Sequence, residues 1–360
     1  MDPYVSVIVT AYNRRRYLPD ALRSLERQTL DKGKFEVIVV KNFEDPASDE
    51  IIRRNGWRWV YSDESSQGRF ALAGLEEARG EVITFLDDDD MYSNDRLYLL
   101  SEAFRARHDL MYFHNSQRVI GPLSTGSKEP AGASQGANFI ELTYINPPLD
   151  QAKCLYFLKS KMFVNSSSMA FRKAVLDDRQ AKALLPLCER EVDFCLASTA
   201  IRHVSYRGGL LARTPAPLTY YRVTSLSATP HRWNLRSADP MKAVKELLAA
   251  YAIWSYTEEL ISVWLEGTPC RQYIEALSLV KLLEVSSAPL TILRDLQASG
   301  QLHLHNIKGS SVLSRLIDLS RAGYVDEKAL LTSLADLMVS SLPQPLRKYY
   351  WLLRYSLQAR

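Results

Sequence analysis

Three short apolar runs stand out in the first part of the chain: Val-Ser-Val-Ile-Val-Thr at 5–10, Phe-Glu-Val-Ile-Val-Val-Lys at 35–41 and Val-Ile-Thr-Phe-Leu at 82–86. Runs this short, rich in β-branched residues, predict strands covered on both faces, as in a parallel sheet. Between the first two, Leu18, Ala21, Leu22 and Leu25 share one helical face within 17–28. Pro19 suits the first turn of that helix, where its missing N–H costs nothing. Between the second and third runs, residues 70–79 predict another helix, closed by Gly80 as its C-terminal stop. Strands alternating with helices predict an α/β layered sheet that gathers its ligand-binding groups at the carboxyl ends of the strands. Segments 10–13, 41–45 and 87–90 each follow a strand and are expected to converge on one cleft.

The pattern then changes twice. Residues 121–137 are dominated by Gly, Pro, Ser and Ala without apolar periodicity and predict a mobile loop. From about residue 240 the spacing is helical throughout, with candidate helices at 241–265, 271–285, 289–298, 311–322, 327–342 and 346–357. The expected organisation is an α/β domain at 1–238 followed by a helical domain at 239–360, with no internal repeat.

Composition narrows the classes. The 360 residues are 46% apolar and 24% charged, which describes a globular protein of about two domains. Basic residues number 45 against 41 acidic ones, for a net charge of +4. That balance argues against a nucleic-acid binder working through a whole-surface basic field. No uncharged apolar stretch is long enough to span a bilayer. Met1-Asp2-Pro3-Tyr4 leads straight into a strand pattern, without the basic segment and cleavage site of a secretory signal. The cysteines at 154, 188, 195 and 270 have neither C-x-x-C spacing nor a neighbouring His cluster. They are expected to be reduced and mostly buried, without a zinc site or disulfide framework, in a cytoplasmic protein.

The candidate chemistry centres on Phe85-Leu86-Asp87-Asp88-Asp89-Asp90-Met91-Tyr92. Adjacent carboxylates at the end of a buried strand repel one another. A divalent cation relieves that repulsion, and oxygen-only ligands suit Mn²⁺ or Mg²⁺, with a diphosphate supplying the remaining oxygens. The same residues also read as a solvated acidic turn capping a helix near Asn94-Asp95-Arg96-Leu97.

Residues 5–14, Val-Ser-Val-Ile-Val-Thr-Ala-Tyr-Asn-Arg, followed by Leu18, Ala21, Leu22, Ser24, Leu25, Gln28 and Thr29, resemble the opening of the family-two glycosyltransferases. Residues 78–90, Ala-Arg-Gly-Glu-Val-Ile-Thr-Phe-Leu-Asp-Asp-Asp-Asp, resemble that family's approach to its D-x-D motif. The resemblance is strong over residues 4–112 and continues weakly to about 228. It implies a GT-A fold: a Rossmann-like, mixed and mainly parallel sheet flanked by helices. It also implies a nucleotide-sugar donor, most simply a UDP-sugar, a Mn²⁺ or Mg²⁺ ion and an inverting transfer. Residues 1–112 then form the nucleotide-sugar-binding half and 113–238 the acceptor-binding half. Thr10, Ala11, Tyr12 and Asn13 match the first nucleotide-contacting loop. Asp87 and Asp88 match positions near the ribose and phosphates, and Asp89 matches the metal-ligating aspartate. Arg69 stands where the family often carries a basic residue after a glycine, here Gly68; a solvated loop arginine is its other reading.

The family's acidic pair after the second strand is replaced by Lys41-Asn42-Phe43-Glu44-Asp45, so its uracil-contacting aspartate has no match. Asn42 offers an amide to a base edge and Phe43 a ring to stack on it. Residues 165–172, Asn-Ser-Ser-Ser-Met-Ala-Phe-Arg, resemble the strand lining the acceptor pocket. Glu191 and Asp193 lie where an acid opens a helix and serves as catalytic base. Asp193 fits slightly better, although both also read as ordinary acids at a helix N-terminus. His231 is the candidate third metal contact, in place of a His the family carries where this chain has Thr224.

Two other classes compete. A nucleotidylyltransferase would need a Gly-rich signature with Arg and Lys near the first strand, which Ala11-Tyr12-Asn13-Arg14 does not supply. A non-catalytic nucleotide-sugar-binding or scaffold protein would be marked by loss of the aspartates, and all are present. The acceptor, a glycan or a lipid-linked group, is not legible. The terminal segment 346–357 mixes aromatics, leucines and cations; it suits a bilayer interface, the domain's own core or a homodimer contact.

Overall fold

The computed structural model describes residues 2–121, 140–189, 191–223 and 260–272. The chain divides into two units, Met1–Pro230 and His231–Arg360. In the second unit residues 260–264 are helical. The loop expected at 121–137 (Gly121 apart), His231 and nearly all of the expected C-terminal helices, 346–357 included, lie outside the described residues. Among those described, no helix is long and apolar enough to cross a membrane.

The first unit is mixed α/β, as expected, around one nine-stranded sheet. It opens with β1 (Val5–Ala11), α1 (Leu18–Glu26), β2 (Phe35–Lys41), α2 (Pro46–Arg54), β3 (Arg58–Tyr61), α3 (Gln67–Glu77) and β4 (Val82–Asp87). It continues with β5 (Met91–Tyr92), α4 (Arg96–Ala106), β6 (Leu110–Ile120), β7 (Thr143–Ile145), α5 (Gln151–Lys159) and β8 (Met169–Arg172). The helices α6 (Lys173–Leu176), α7 (Arg179–Leu184) and α8 (Val192–Arg207) and the strand β9 (Leu210–Arg222) complete it. The strand order is β3-β2-β1-β4-β8-β6-β9-β5, with β7 on β9. Strands β1 to β4 run parallel. β8 lies antiparallel between β4 and β6, and β9 resumes the first direction beside β6. β5 and β7 run against β9.

The three expected strands are in place, because their side chains are buried on both faces: all of β2, and all of β1 except Thr10, are buried. Three details differ from expectation. The segment after β2 is not only a loop: Asp45 accepts from Ser48 N and Pro46 occupies the first turn, so α2 begins there. An Asp-Pro pair ahead of Ile51 and Ile52 is a readable start signal. Strand β3 escapes a search for buried runs because it alternates between partly and fully exposed residues, as a sheet edge does. Gly80 is not a left-handed helix stop: α3 ends at Glu77, and a Cβ at Gly80 would lie 2.6 Å from Ser6 N. Its lack of a side chain lets this turn close onto β1, where Gly80 N donates to Ser6 Oγ at 2.8 Å.

The expectation of reduced cysteines is overturned. Cys188 and Cys195 form a disulfide, with Cα atoms 6.5 Å apart, and no cysteine is free among the described residues. The turn that enters α8 brings these two together at a sequence separation of 7, a spacing that carries no signature of its own. The inference of a reducing location loses that support.

Gly80→Ala is expected to destabilise the fold by about 1–3 kcal/mol, the range for forcing atoms into close-packed contact. Urea unfolding measures this, and a change below about 0.5 kcal/mol would remove the close-approach argument.

Candidate active site

The carboxyl ends of β1, β2 and β4 meet as the strand pattern requires. Thr10 Oγ1 donates to Asp87 Oδ1 at 3.1 Å, and Asp88 N donates to the Thr10 carbonyl at 3.2 Å. Asn13 adopts φ 55°, a backbone region that asparagine tolerates better than most residues. It joins the loops after β1 and β2: Asn13 N donates to Asn42 Oδ1 at 2.9 Å and Asn42 Nδ2 donates to Asn13 Oδ1 at 3.0 Å. The next residue, Arg14, bridges two aspartates. Its Nε donates to Asp88 Oδ2 at 3.2 Å and its Nη1 to Asp89 Oδ2 at 2.6 Å, while Nη2 pairs with Asp88 Oδ1.

The four aspartates have different surroundings. Asp88 and Asp90 are buried at 1% exposure and Asp89 at 8%, while Asp87 is only partly enclosed. Burial, opposed by Arg14 and reinforced by Asp89, pushes the Asp88 carboxyl well up. Burial and the Asp89 charge raise Asp87 to about 6, against the hydrogen bonds from Ser166 and Thr10. Burial works against the charge on Arg14, yet Asp88 and Asp89 hold its proton more tightly than in an ordinary arginine. Asp90 serves the frame: Oδ1 accepts from Arg222 N at 2.9 Å and Oδ2 from Asn165 Nδ2 at 3.0 Å. Buried Arg222 also donates from Nε to the Asp89 carbonyl at 2.8 Å, so β9 grips the acidic turn by its backbone.

A 3₁₀ turn at Ser166–Ser168 enters β8 and ties the two halves of the site together. Ser166 Oγ lies 3.1 Å from both Asp87 oxygens, and Ser167 Oγ accepts from Asp87 N at 3.0 Å. On its other side the turn meets Asp193, in the first turn of α8. Asp193 Oδ2 accepts from Asn165 N at 2.8 Å and Oδ1 from Ser166 N at 3.0 Å. Burial and the nearby Asp87 charge raise the Asp193 carboxyl to about 7, despite those two N–H groups. A continuous path therefore runs from Thr10 through Asp87 and Ser166 to Asp193. Behind it Arg96, fully buried, donates to Asn115 Oδ1 and Thr84 Oγ1, each at 3.0 Å, and so joins β4 to β6.

Of the residues singled out from sequence, Thr10, Asn13, Asn42, Asp87, Asp88, Asp89 and Asp193 thus fall into connected hydrogen-bond groups at one end of the sheet. Ala11 is buried and ends β1, and Tyr12 is 41% exposed with its ring edge-on to Phe70 at 5.7 Å. Glu191 is the N-cap residue of α8, where its carbonyl accepts from Phe194 N at 3.1 Å. Arg69 lies in the first turn of α3 rather than in a loop and pairs with Glu64 at 3.1 Å, both side chains about half exposed. Phe43 does not offer a free face for stacking, since it is buried under the Arg15 guanidinium at 4.9 Å from its ring centroid. Lys41 is buried too and donates to the Phe43 carbonyl at 2.9 Å and Asp49 Oδ1 at 2.6 Å. The reading from sequence missed Arg14 as a partner of the aspartates. The signal was available: a cation directly after the first loop that was expected to face them.

The donor set suits a hard divalent cation in kind, because every candidate ligand on β4 is a carboxylate oxygen. In number it is incomplete: among the described residues no three His, Cys, Asp or Glu side chains converge on one point. A carboxylate of this turn would hold such an ion only together with ligands from outside these side chains.

Residues 6–179 match the family model described as Glycosyl transferase family 2. The Bacillus subtilis protein named putative glycosyltransferase EpsH is 24% identical over 258 residues, 69% of this chain and 69% of EpsH. Staphylococcus aureus poly(ribitol-phosphate) β-N-acetylglucosaminyltransferase TarS is 32% identical over 98 residues, which span 26% of this chain and 17% of TarS. The crystal structure of TarS 1–349 in complex with UDP-GlcNAc has a TM-score of 0.51 at 17% identity, covering 98% of this chain and 92% of that one. That likeness is one of fold: the chain has the GT-A architecture its opening segments implied.

Asn165 supports three contacts at once from a backbone with φ 65°. Asn165→Ala is expected to cost about 1–3 kcal/mol, from the strained conformation and the buried Asp90 oxygen left without its donor. Asn165→Gly should cost less, because glycine tolerates that φ. Equal melting temperatures for the two variants would contradict the backbone part of the argument.

Proposed function

We propose that this chain is an inverting glycosyltransferase that moves a sugar from a UDP-sugar to a hydroxyl of a glycan acceptor, with Asp193 as the general base. The observation that carries this reading is the path Thr10–Asp87–Ser166–Asp193, which links the nucleotide end of the sheet to a carboxyl with its pKa raised to about 7. A base poised near neutral pH accepts a proton at the right moment without being permanently protonated. The UDP-GlcNAc complex of TarS and the N-acetylglucosaminyl transfer for which TarS is named support a UDP-sugar as the donor.

The residues divide the work by position. The loop after β1, with Thr10, Ala11, Tyr12 and Asn13, and its partner Asn42 receive the nucleoside. Asp87 and Asp88 lie at the ribose and phosphates. Asp89 would hold a Mn²⁺ or Mg²⁺ ion, which when bound supplies positive charge to the departing diphosphate. Asp193 takes the acceptor proton on a carboxyl lone pair not engaged by its Asn165 and Ser166 contacts. Attack from the face opposite the leaving group inverts the anomeric carbon. A neutral hydroxyl needs such a base; a lipid phosphate, already ionised, does not. A cytoplasmic location and contact of residues 346–357 with a membrane surface or a second copy belong to the same reading.

The pH dependence gives the test. Lowering the pH through about 7 protonates Asp193 and removes the base. Transfer at subsaturating substrate is therefore expected to rise about tenfold per pH unit below that point and to level off above it. Asp193→Asn should lower transfer at least about a hundredfold with Glu191→Gln as the milder control. Both Asp193 oxygens accept backbone N–H groups, so the asparagine also leaves one N–H without an acceptor. The wild-type pH profile is therefore the cleaner readout. A profile flat from about pH 5 to 9 would exclude Asp193 as the base.

A further inference from the structure

The Arg14 guanidinium spans two neighbouring carboxylates, and Nη1 lies 2.6 Å from Asp89 Oδ2. That contact takes one lone pair of Asp89 Oδ2, and a Mn²⁺ or Mg²⁺ ion bound to the same carboxylate at about 2.1 Å would lie close to the guanidinium charge. Arginine and metal therefore compete for one carboxylate through their charges: an ion arriving alone would be repelled by the cation already there. An ion arriving with a diphosphate changes that balance, because phosphate oxygens accept a planar, forked guanidinium in bidentate fashion. Arg14 is able to make the exchange. Its side chain is 30% exposed, against 1% for Asp88, and it lies in the loop between β1 and α1.

We propose that Arg14 is a built-in counter-cation of the acidic turn that excludes a divalent metal until the donor's diphosphate takes the arginine over. This rests on the reading of the site as a nucleotide-sugar site and adds an order to it. Metal and nucleotide bind cooperatively, each raising the affinity of the other by the same factor, as linkage demands. Arg14 is a positioning residue in this scheme: its fork holds the Asp88 and Asp89 side chains in place, then moves to the diphosphate.

Direct binding of Mn²⁺, followed by the electron paramagnetic resonance of the free ion, tests this without any turnover. For the wild type, Mn²⁺ alone should bind weakly, and UDP should tighten it at least about tenfold. Arg14→Gln should bind Mn²⁺ alone at least about tenfold more tightly than the wild type, and UDP should add much less. Arg14→Lys keeps the charge but loses the fork; it should fall between the two and provides the comparison if the glutamine variant does not fold. Asp89→Asn should abolish the tight Mn²⁺ binding of Arg14→Gln, which identifies the site being measured. Equal Mn²⁺ affinities for wild type and both Arg14 variants without nucleotide would overturn the proposal, as would tight binding that survives Asp89→Asn. If UDP alters nothing in any of these proteins, the UDP-donor reading and the nucleotide-triggered release both fall. The comparison without nucleotide still decides the competition between Arg14 and metal.

Discussion

The cost of placing four consecutive carboxylates at the end of a buried strand governs the arrangement of the first unit. Asp87 ends β4 and Asp88 to Asp90, all buried, follow it directly. Each carboxylate must be hydrogen-bonded, paired or protonated, since an unpaired buried charge costs several kcal/mol. Separate parts of the chain supply the partners. Thr10 comes from β1, Arg14 from the following loop, Asn165 and Ser166 from the turn before β8, and Arg222 from the end of β9. The segments that solvate the acidic turn are therefore the ones that build the cleft walls.

The antiparallel β8 follows from the same requirement. A fully parallel sheet would place another helix-linked strand beside β4. Here β8 instead delivers the 3₁₀ turn Ser166–Ser168 to the carboxyl end of β4, where its hydroxyls and N–H groups meet Asp87. That turn also receives Asp193 from α8, so the start of α8 is anchored to the strand ends that carry Thr10 and Asp87. The raised pKa of Asp193 has the same origin: enclosure beside Asp87.

Much of this was legible from sequence, for a physical reason. Strands buried on both faces must be apolar along their whole length, so β1, β2 and β4 announce themselves, and a run of aspartates directly after such a strand is too costly to be decorative. Asp193 was reachable through the resemblance of its surroundings to a known family. What escaped notice depends on long-range pairing. Arg14 stands directly after the loop expected to face the aspartates, yet only the fold shows it forked across both Asp88 and Asp89. Phe43 reads as an exposed ring, and only the packing of Arg15 and Lys41 shows it covered. The Cys188–Cys195 pair was invisible because its spacing follows the geometry of one turn into α8 rather than a repeating motif.

The central claim is that the carboxyl ends of β1, β2 and β4 form a nucleoside-diphosphate site completed by Asp89. The most direct measurement is the thermal unfolding of wild-type and Asp89→Asn protein with UDP and with GDP, each in the presence of Mn²⁺. A ligand that binds only the folded protein at about a hundred times its Kd stabilises it by about 2.7 kcal/mol, a shift of several degrees. The account predicts such a shift for the wild type with UDP, a smaller one with GDP, and loss of both in Asp89→Asn. No shift with either nucleotide, or an equal shift in the variant, would contradict it.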